Sequence, residues 1–370
     1  MSEIIEILNA SLSDRIALHQ NYRNCLSRPL FAFAKFPNHE KNAGFFLSIS
    51  TPHQLCHFFK RPLSEFQEII NNPKYSDLVI KKKRGGKRQI HVPSNELKAI
   101  QKRLNFFLQA YYLCIKPAEV FGFVINPDYQ EKQCNIKENA LPHVGQKHLL
   151  NLDLKDFFSS ISASAVKALF KSNYFKFEDQ LATALTLLTT YEGKLPTGTP
   201  TSPVISNFIC LKMDEALKSF SETHRINFTR YADDLSFSSN QPFSQDLIDR
   251  LIELISSHGF EVNPKKLRLK SSFRKQMVTG LTVNTKVNVD RKILKKVRSM
   301  AHDLSVNGIE HAASKHFNLS VPADIKAQEK FMNKLSGYVN FIGQIRGEDD
   351  KIYMKIKTDM GLALGGAKRG

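Results

Sequence analysis

Long apolar runs are missing from this chain. No stretch reaches the roughly 18 consecutive apolar residues that suggest a membrane-crossing helix. The segment from Met1 to Leu12 carries Glu3 and Glu6 and lacks the basic-then-apolar order of a leader, so a cytoplasmic protein is the expectation. Cysteine is scarce: Cys25, Cys56, Cys114, Cys134 and Cys210 are scattered, odd in number and form no C-x-x-C pair. Neither a disulfide framework nor a zinc site is expected from that pattern. His53 and His57 sit four apart on an expected helix, but no acidic or cysteine ligand accompanies them, so they read as surface or half-buried side chains. Internal repeats and low-complexity tracts are also absent. Acidic residues are outnumbered, 35 against 53 Lys and Arg, for a net charge of +18. That excess favours a polyanionic partner. A basic protein of the membrane surface is the alternative, with no membrane-spanning run in its favour. Apolar residues make up 42%, as in an ordinary globular protein, and 370 residues allow two or three domains with ample core.

The stretch around which the rest is organised is Thr229-Arg230-Tyr231-Ala232-Asp233-Asp234-Leu235-Ser236-Phe237. Ile226 and Phe228 alternate with polar residues before it, and Leu235 and Phe237 after it, which predicts two short antiparallel strands joined by a tight turn. Adjacent carboxylates on a straight strand point to opposite faces. At a turn they can converge, where they repel unless a cation lies between them, and Mg²⁺ is the natural guest of such hard oxygens. An isolated Asp-Asp is more often a solvated turn; here its surroundings favour the site.

Upstream, Thr51 and Pro52 start a short helix to Lys60, and a second helix runs from Ser64 to Ile70. Between Val79 and Pro93 two strands flank Gly85-Gly86, a hairpin whose tip carries Lys81, Lys82, Lys83, Arg84, Lys87 and Arg88. So many cations exceed what a charged edge needs against aggregation, and phosphate binding is the better reading. Ser94 caps a helix from Asn95 to Tyr112, and residues 117 to 147 are loop-rich. His148 to Leu154 alternates as a half-buried strand with Asp153 near its end; a helix from about Ser162 to Ser172 and another over residues 174 to 192 follow. Leu195 to Pro203 is a Gly/Pro loop feeding a helix that Ser202 caps and Pro203 opens, a junction able to cradle a phosphate or a base pair. Ser244 to Gly259 is expected to be a helix, with Phe260 to Leu269 and Val278 to Val283 strand-like. From Asp290 the pattern turns helical and basic. The composition shift near residue 286 suggests an extension (1–50), a central domain (51–285) and a basic helical region (286–370).

Three acids thus share one expected site, with a basic hairpin before them and a Gly/Pro loop between. These are the parts of a phosphoryl-transfer centre: two metal ions clamp attacking and leaving oxygens, while cations hold the pyrophosphate.

The order and wording of these pieces resemble reverse transcriptases. Tyr231-Ala232-Asp233-Asp234 is similar to the family's Tyr-x-Asp-Asp box, and Asn151 to Phe158 to its first catalytic motif. Leu195 to Pro203 is similar to its Leu-Pro-Gln-Gly-x-x-x-Ser-Pro loop, with Thr197 where Gln is usual, and Gly259 to Lys266 to its later lysine motif. The resemblance covers about residues 75 to 285. Asn139-Ala140-x-x-His143, Val278-Thr279-Gly280 and Leu335-Ser336-Gly337-Tyr338 resemble elements of the bacterial retron enzymes, which Arg230 also fits. The absence of a zinc-finger or endonuclease extension argues against a group II intron protein.

The resemblance implies an α+β right-hand polymerase with fingers, a palm of antiparallel sheet plus helices, and a helical thumb. It implies that Asp153, Asp233 and Asp234 bind two Mg²⁺, that Lys266 protonates the leaving pyrophosphate, and that Arg88 with Lys87 holds the triphosphate. Phe158 would be the steric gate under the sugar, with Thr197, Gly198 and Tyr231 also around the incoming nucleotide. Asp156 is expected to cap the following helix rather than bind metal. Asn139, His143, Val278, Thr279 and Gly280 would belong to the RNA side, together with Arg291, Lys292, Lys295, Lys296 and Arg298. The implied partners are dNTPs, a structured non-coding RNA as template and primer, its single-stranded DNA product, and a separate effector protein in anti-phage defence, with no membrane. Two rivals remain: another palm-fold polymerase, of the abortive-infection or template-independent type, and a non-catalytic RNA-binding scaffold.

Overall fold

A computed structural model describes residues 2–11, 14–15, 17–19, 39–81, 85–126 and 133–366. Cys25 and the hairpin-tip residues Lys82, Lys83 and Arg84 lie outside them. The chain divides into two compact units, Met1–Asn139 with Leu150–Leu269, and Ala140–Leu149 with Lys270–Gly370. The composition shift near residue 286 falls inside the second of these. No described helix is long and apolar enough to cross a membrane. Cys56, Cys114, Cys134 and Cys210 are free thiols, and His53 and His57 are exposed.

The first unit begins with helices α1 (Ser2–Asn9), α2 (His39–Leu47), α3 (Pro52–Phe59) and α4 (Leu63–Asn71). Thr51 and Gln54 close a reciprocal cap on α3, and Lys60 ends it with φ +56°. Hairpin β1 (Tyr75–Lys81) and β2 (Lys87–Pro93) pairs Lys81 with Lys87 at its tip. Ser94 caps α5 (Asn95–Ile115), which packs against α2. After the short α6 (Ile136–Ala140) come β3 (His148–Asp153), α7 (Ala163–Lys171), α8 (Asp179–Thr189) and α9 (Ser202–Thr223). Then follow β4 (Asn227–Tyr231), β5 (Asp234–Ser239), α10 (Gln245–Ser257) and β6 (Arg268–Ser271). The sheet order is β4-β5-β3-β6. Phenylalanine fills the core: Phe46, Phe58, Phe170, Phe175, Phe177 and Phe208 are buried, with Phe175 and Phe208 ring centroids 5.0 Å apart. Each such ring contributes about 1.5–3 kcal/mol by leaving water.

Four expectations about the first unit need correction. The helix expected over 174–192 occupies only Asp179–Thr189, because Phe175 and Phe177 enter the core from irregular backbone ahead of it. Ser202 does not cap α9; its Oγ donates to the Pro196 carbonyl at 2.6 Å and meets Thr199 Oγ1 at 2.6 Å, tying the Gly/Pro loop together. Asp156 does not cap α7; Ser162 does, accepting from the Ala165 N–H at 3.2 Å. The segment from Phe260 to Leu269 is a strand only from Arg268, since Asn263 and Pro264 turn the chain and Asn263 Oδ1 accepts from the Lys265 N–H.

The second unit holds the small sheet β7 (Met277–Val278), β8 (Leu281–Thr282) and β9 (Asn288–Val289). The single strand expected over Val278 to Val283 is in fact a hairpin: Thr279 and Gly280 have φ of +47° and +85°, the left-handed pair of a tight two-residue turn. Asp290 caps α11 (Arg291–Phe317), which is broken at Gly308 (φ +77°), and α12 (Ile325–Arg346) and α13 (Lys351–Gly366) follow. Leu294, Val297, Met300 and Ala301 form the buried face of α11. Arg291, Lys292, Lys295, Lys296 and Arg298 are all exposed.

Candidate active site

The site is assembled around the β4–β5 turn. Tyr231 pairs with Asp234 across it, leaving Ala232 (φ +60°) and Asp233 at the tip. β3 lies beside β5, and the Leu154 N–H donates to the Asp233 carbonyl at 3.0 Å. That bond sets Asp153 next to the acidic turn. The Asn263 N–H in turn donates to the Asp153 carbonyl at 2.8 Å, and the following turn delivers Lys266, whose Nζ lies 2.7 and 2.8 Å from the two Asp153 oxygens. Asp153 is enclosed, while the Lys266 side chain is 55% exposed.

The carboxyls do not behave as isolated acids. Burial raises Asp233 above its ordinary range and the Asp153 charge adds to this, while Lys266 and Arg88 oppose it. Asp234 is pushed up to about 6 by burial, then by Asp233 and Asp153, against Lys266 and Arg268. Solvent still reaches the Asp234 side chain at the rim, which limits how much of that rise burial sustains. Among the described residues no three His, Cys, Asp or Glu side chains stand as a ready-made metal cage. The donor chemistry nonetheless fits a hard divalent cation: carboxylates that repel each other and resist ionisation are stabilised by positive charge.

Behind the turn lies a support that left only indirect hints in the chain's residue order. Arg230 is fully buried and grips Asp214 of α9 with two bonds of 2.7 Å each. Its remaining nitrogen donates to Asn207 Oδ1 at 3.0 Å and to the Ala232 carbonyl at 3.1 Å. Burial alone would lower the Arg230 pKa, but the Asp214 carboxylate outweighs it and keeps the guanidinium charged. The segment Glu119–Phe123 runs along β4, with the Arg230 N–H donating to the Glu119 carbonyl and the Phe121 N–H to the Arg230 carbonyl. Gly122 presses against the turn so closely that a Cβ there would lie 2.2 Å from the Ala232 nitrogen. An Asp in α9 and an Arg within an alternating strand were the available signals; Gly122 had none.

The remaining candidates fall into three groups. Lys87 and Arg88 are exposed on β2, and the His91 N–H of that strand donates to the Thr197 carbonyl at 2.8 Å, which joins the basic hairpin to the Gly/Pro loop. Gly198 (φ +108°) sits against Ile90, where a Cβ would be 2.3 Å from Ile90 Cγ2. Phe158 is half-buried beside Phe123 (5.7 Å between centroids), and its neighbour Phe157 is in the core; Tyr231 is half-buried. Asn139 and His143 are enclosed by protein, and burial pulls His143 down to about 3, so it is uncharged near neutrality. Val278 is buried too, whereas Thr279 is half-buried and Gly280 exposed.

Residues 80–301 match the family described as reverse transcriptase (RNA-dependent DNA polymerase). The chain is 30% identical over 293 residues to the retron Mx65 reverse transcriptase of Myxococcus xanthus, covering 74% of this chain and 62% of that enzyme. It is 33% identical over 258 residues to the retron Ec86 reverse transcriptase of Escherichia coli, covering 67% and 76% respectively. The chain therefore spans less than two thirds of the Mx65 enzyme. Among solved structures it is similar to telomerase from Candida albicans in complex with a fragment of telomeric RNA, at a TM-score of 0.44 and 9% identity, over 80% of this chain and 64% of that one. The matched family span contains all three acids, the Gly/Pro loop and Lys266, and the architecture is the expected α+β fold of a right-hand polymerase. On these grounds the chain belongs to the reverse transcriptases, and among them to the retron type.

Proposed function

We propose that this chain is the RNA-directed DNA polymerase of a retron. It copies part of a structured non-coding RNA into multicopy single-stranded DNA, starts from an RNA 2′-OH, and acts in the cytoplasm with a separate effector protein in anti-phage defence. The observation that supports this reading most is the convergence of Asp153, Asp233 and Asp234 with Lys266, within the electrostatic reach of Arg88. The kinship with retron enzymes supports the RNA and the priming chemistry.

In this reading Asp153, Asp233 and Asp234 would hold two Mg²⁺. When bound, such ions supply Lewis acidity and charge neutralisation for in-line displacement. The chain's own groups do the rest. Arg88, with Lys87, grips the triphosphate of the incoming dNTP. Thr197 and Gly198 border the base, with the Thr197 carbonyl engaged by the His91 N–H. Tyr231 flanks the acidic turn, and Phe158 closes the space under the sugar against a 2′-OH. Lys266 exchanges its hold on Asp153 for the departing pyrophosphate and gives it a proton from Nζ. The exposed cations Arg291, Lys292, Lys295, Lys296 and Arg298 form the RNA-gripping face of a helical thumb. Thr279 and Gly280 meet RNA directly. The enclosed Asn139, His143 and Val278 act by holding the shape of their own segments.

The test uses the purified protein, the RNA transcribed from DNA flanking its reading frame, and labelled dNTPs with Mg²⁺. The wild type should make DNA attached to RNA through a linkage that a 2′,5′-debranching enzyme releases. Asp233→Asn should bind the RNA and lose at least about 10³-fold in synthesis, the scale of removing a principal electrostatic stabiliser. Near-wild-type synthesis by this variant would overturn the site.

A further inference from the structure

In the second unit, Phe273 is 98% exposed, the most exposed large apolar side chain among the described residues. It does not dangle from a loose loop. The Arg274 N–H donates to the Ser271 carbonyl at 3.0 Å, closing a turn with Phe273 inside it. The Ser272 N–H is anchored on the Lys147 carbonyl at 2.7 Å. Asn284 then clamps the turn from below: its Nδ2 donates to the carbonyls of Ser272 (3.0 Å) and Arg274 (2.9 Å), one on each side of Phe273. Its Oδ1 accepts from the Gln276 N–H at 3.0 Å. One carboxamide thus fixes three points of the loop and leaves the ring outside.

The ring's chain neighbours, residues 270 to 272 and 274 to 275, are polar or basic rather than apolar. Ser272, Arg274 and Lys275 are exposed, and Lys270 is half-buried. Lys275 is held by Asp290 at 2.7 Å. A protein-docking patch would need contiguous apolar surface, and a single ring set among cations does not provide it. A fixed flat aromatic flanked by positive charge is instead the arrangement that stacks an unpaired base while cations meet the adjoining phosphates.

We propose that Phe273 is a stacking platform for an unpaired base of RNA, with Arg274 and Lys270 serving the flanking phosphates. This rests on the reading that the chain binds RNA, and assigns one point where it touches a single strand. The sequence contains no tryptophan, so Phe273→Trp places the sole indole of the protein at the platform. The probe is an unstructured oligouridylate of about 12 nucleotides, within the site sizes of single-strand binders. The indole of Phe273→Trp should be quenched as RNA is added, with affinity kept near wild type. Phe273→Ala and Phe273→Leu should bind about 5- to 150-fold more weakly, the range measured for loss of one stacked base. Their slope of log K against log salt should match wild type, because a ring releases no counterions. Unquenched indole together with wild-type affinity in Phe273→Ala would overturn the proposal and leave the ring to a protein partner or to solvent. Extension of a primed homopolymer template by the wild-type protein is measured alongside. Its failure would count against the polymerase reading alone, since quenching and affinity are read without dNTPs.

Discussion

Arg230 anchors the β4–β5 hairpin through a fully buried ion pair of two hydrogen bonds to Asp214, while Lys87 and Arg88 ride on a β1–β2 hairpin exposed along most of its length. In the first hairpin the middle residues of both strands are buried, and Asn207, Gly122 and Glu119 all brace it. In the second, the His91-to-Thr197 backbone bond and the packing of Gly198 on Ile90 tie it to the Gly/Pro loop, and Leu78, Val79 and Ile80 face water. Under the proposed function, the contrast follows from what each charge would have to do. Carboxylates that share cations must keep fixed separations, because their repulsion would otherwise spread them. Cations that receive a triphosphate can adapt to it, and a long side chain on an exposed strand does so without strain. One hairpin is specified by its support and the other by its charge.

The largest expected effect comes from breaking the support. Arg230→Ala leaves Asp214 buried without its partner and should destabilise the protein by about 3–5 kcal/mol in urea unfolding. The pair Arg230→Met with Asp214→Leu should recover most of that stability, since matched apolar replacements of a buried ion pair are often neutral. It should not recover DNA synthesis, because the bond to the Ala232 carbonyl is gone. Full activity in the stable double variant would show that the brace serves folding alone.

Next in size is Gly122→Ala. The added Cβ must push the Ala232 backbone away from 2.2 Å. A shift near an ångström at a reacting centre costs on the order of 10²-fold in rate, to be read as kcat at saturating dNTP. Unchanged kcat would mean that the turn tolerates movement and is not the rigid partner in the comparison.

Arg88→Ala should do less, raising KM for dNTP by roughly tenfold, about the strength of one charge-assisted contact, with kcat little changed. Lys87 remains beside it, and the exposed strand can readjust. A fall in kcat at unchanged KM would show that this hairpin, too, holds a fixed geometry.

The smallest effect concerns Asp234. Its folded pKa of about 6 lies above the ordinary 3.8. Between those values the folded state binds more protons than the unfolded one, so stability falls as pH rises through this window. In metal-free buffer Asp234→Asn should therefore be more stable than wild type above about pH 6, with the gap closing towards pH 4. Melting curves across that range decide it, and a gap independent of pH would remove the electrostatic strain from the account.

What could be read in advance was local in the chain. The turn bearing Asp233 and Asp234 announced itself by alternation on both sides, and Asp153 by its place at the end of a strand. Ser94 caps its helix as expected, and Ser244 and Asp290, where helical pattern was expected to begin, cap theirs. What could not be read depends on residues brought together by folding. Asp214 by itself carried no signal of its role, because its partner Arg230 lies 16 positions away on a strand. Gly122 carried no pattern at all; only the backbone of Ala232 explains it. Ser202 stood where a cap belongs, but the tight Gly/Pro loop ahead of α9 offered its hydroxyl nearer partners. Thr279 was absorbed into a strand because its β-branched side chain hid the two-residue turn that Gly280 permits.

Helix α11 opens with cations at the pole where cations are least welcome. Its backbone N–H groups give the N-terminus partial positive charge. Arg291 and Lys292 stand in a first turn that contains no acid, and Asp290 is the single counterweight at the cap. The helix dipole and the side chains therefore add rather than cancel. The end of this helix is an electrostatic source pointing outwards, at some cost to the free helix. A polyanion at that pole would offset the cost, so the helix is better formed in its company than alone.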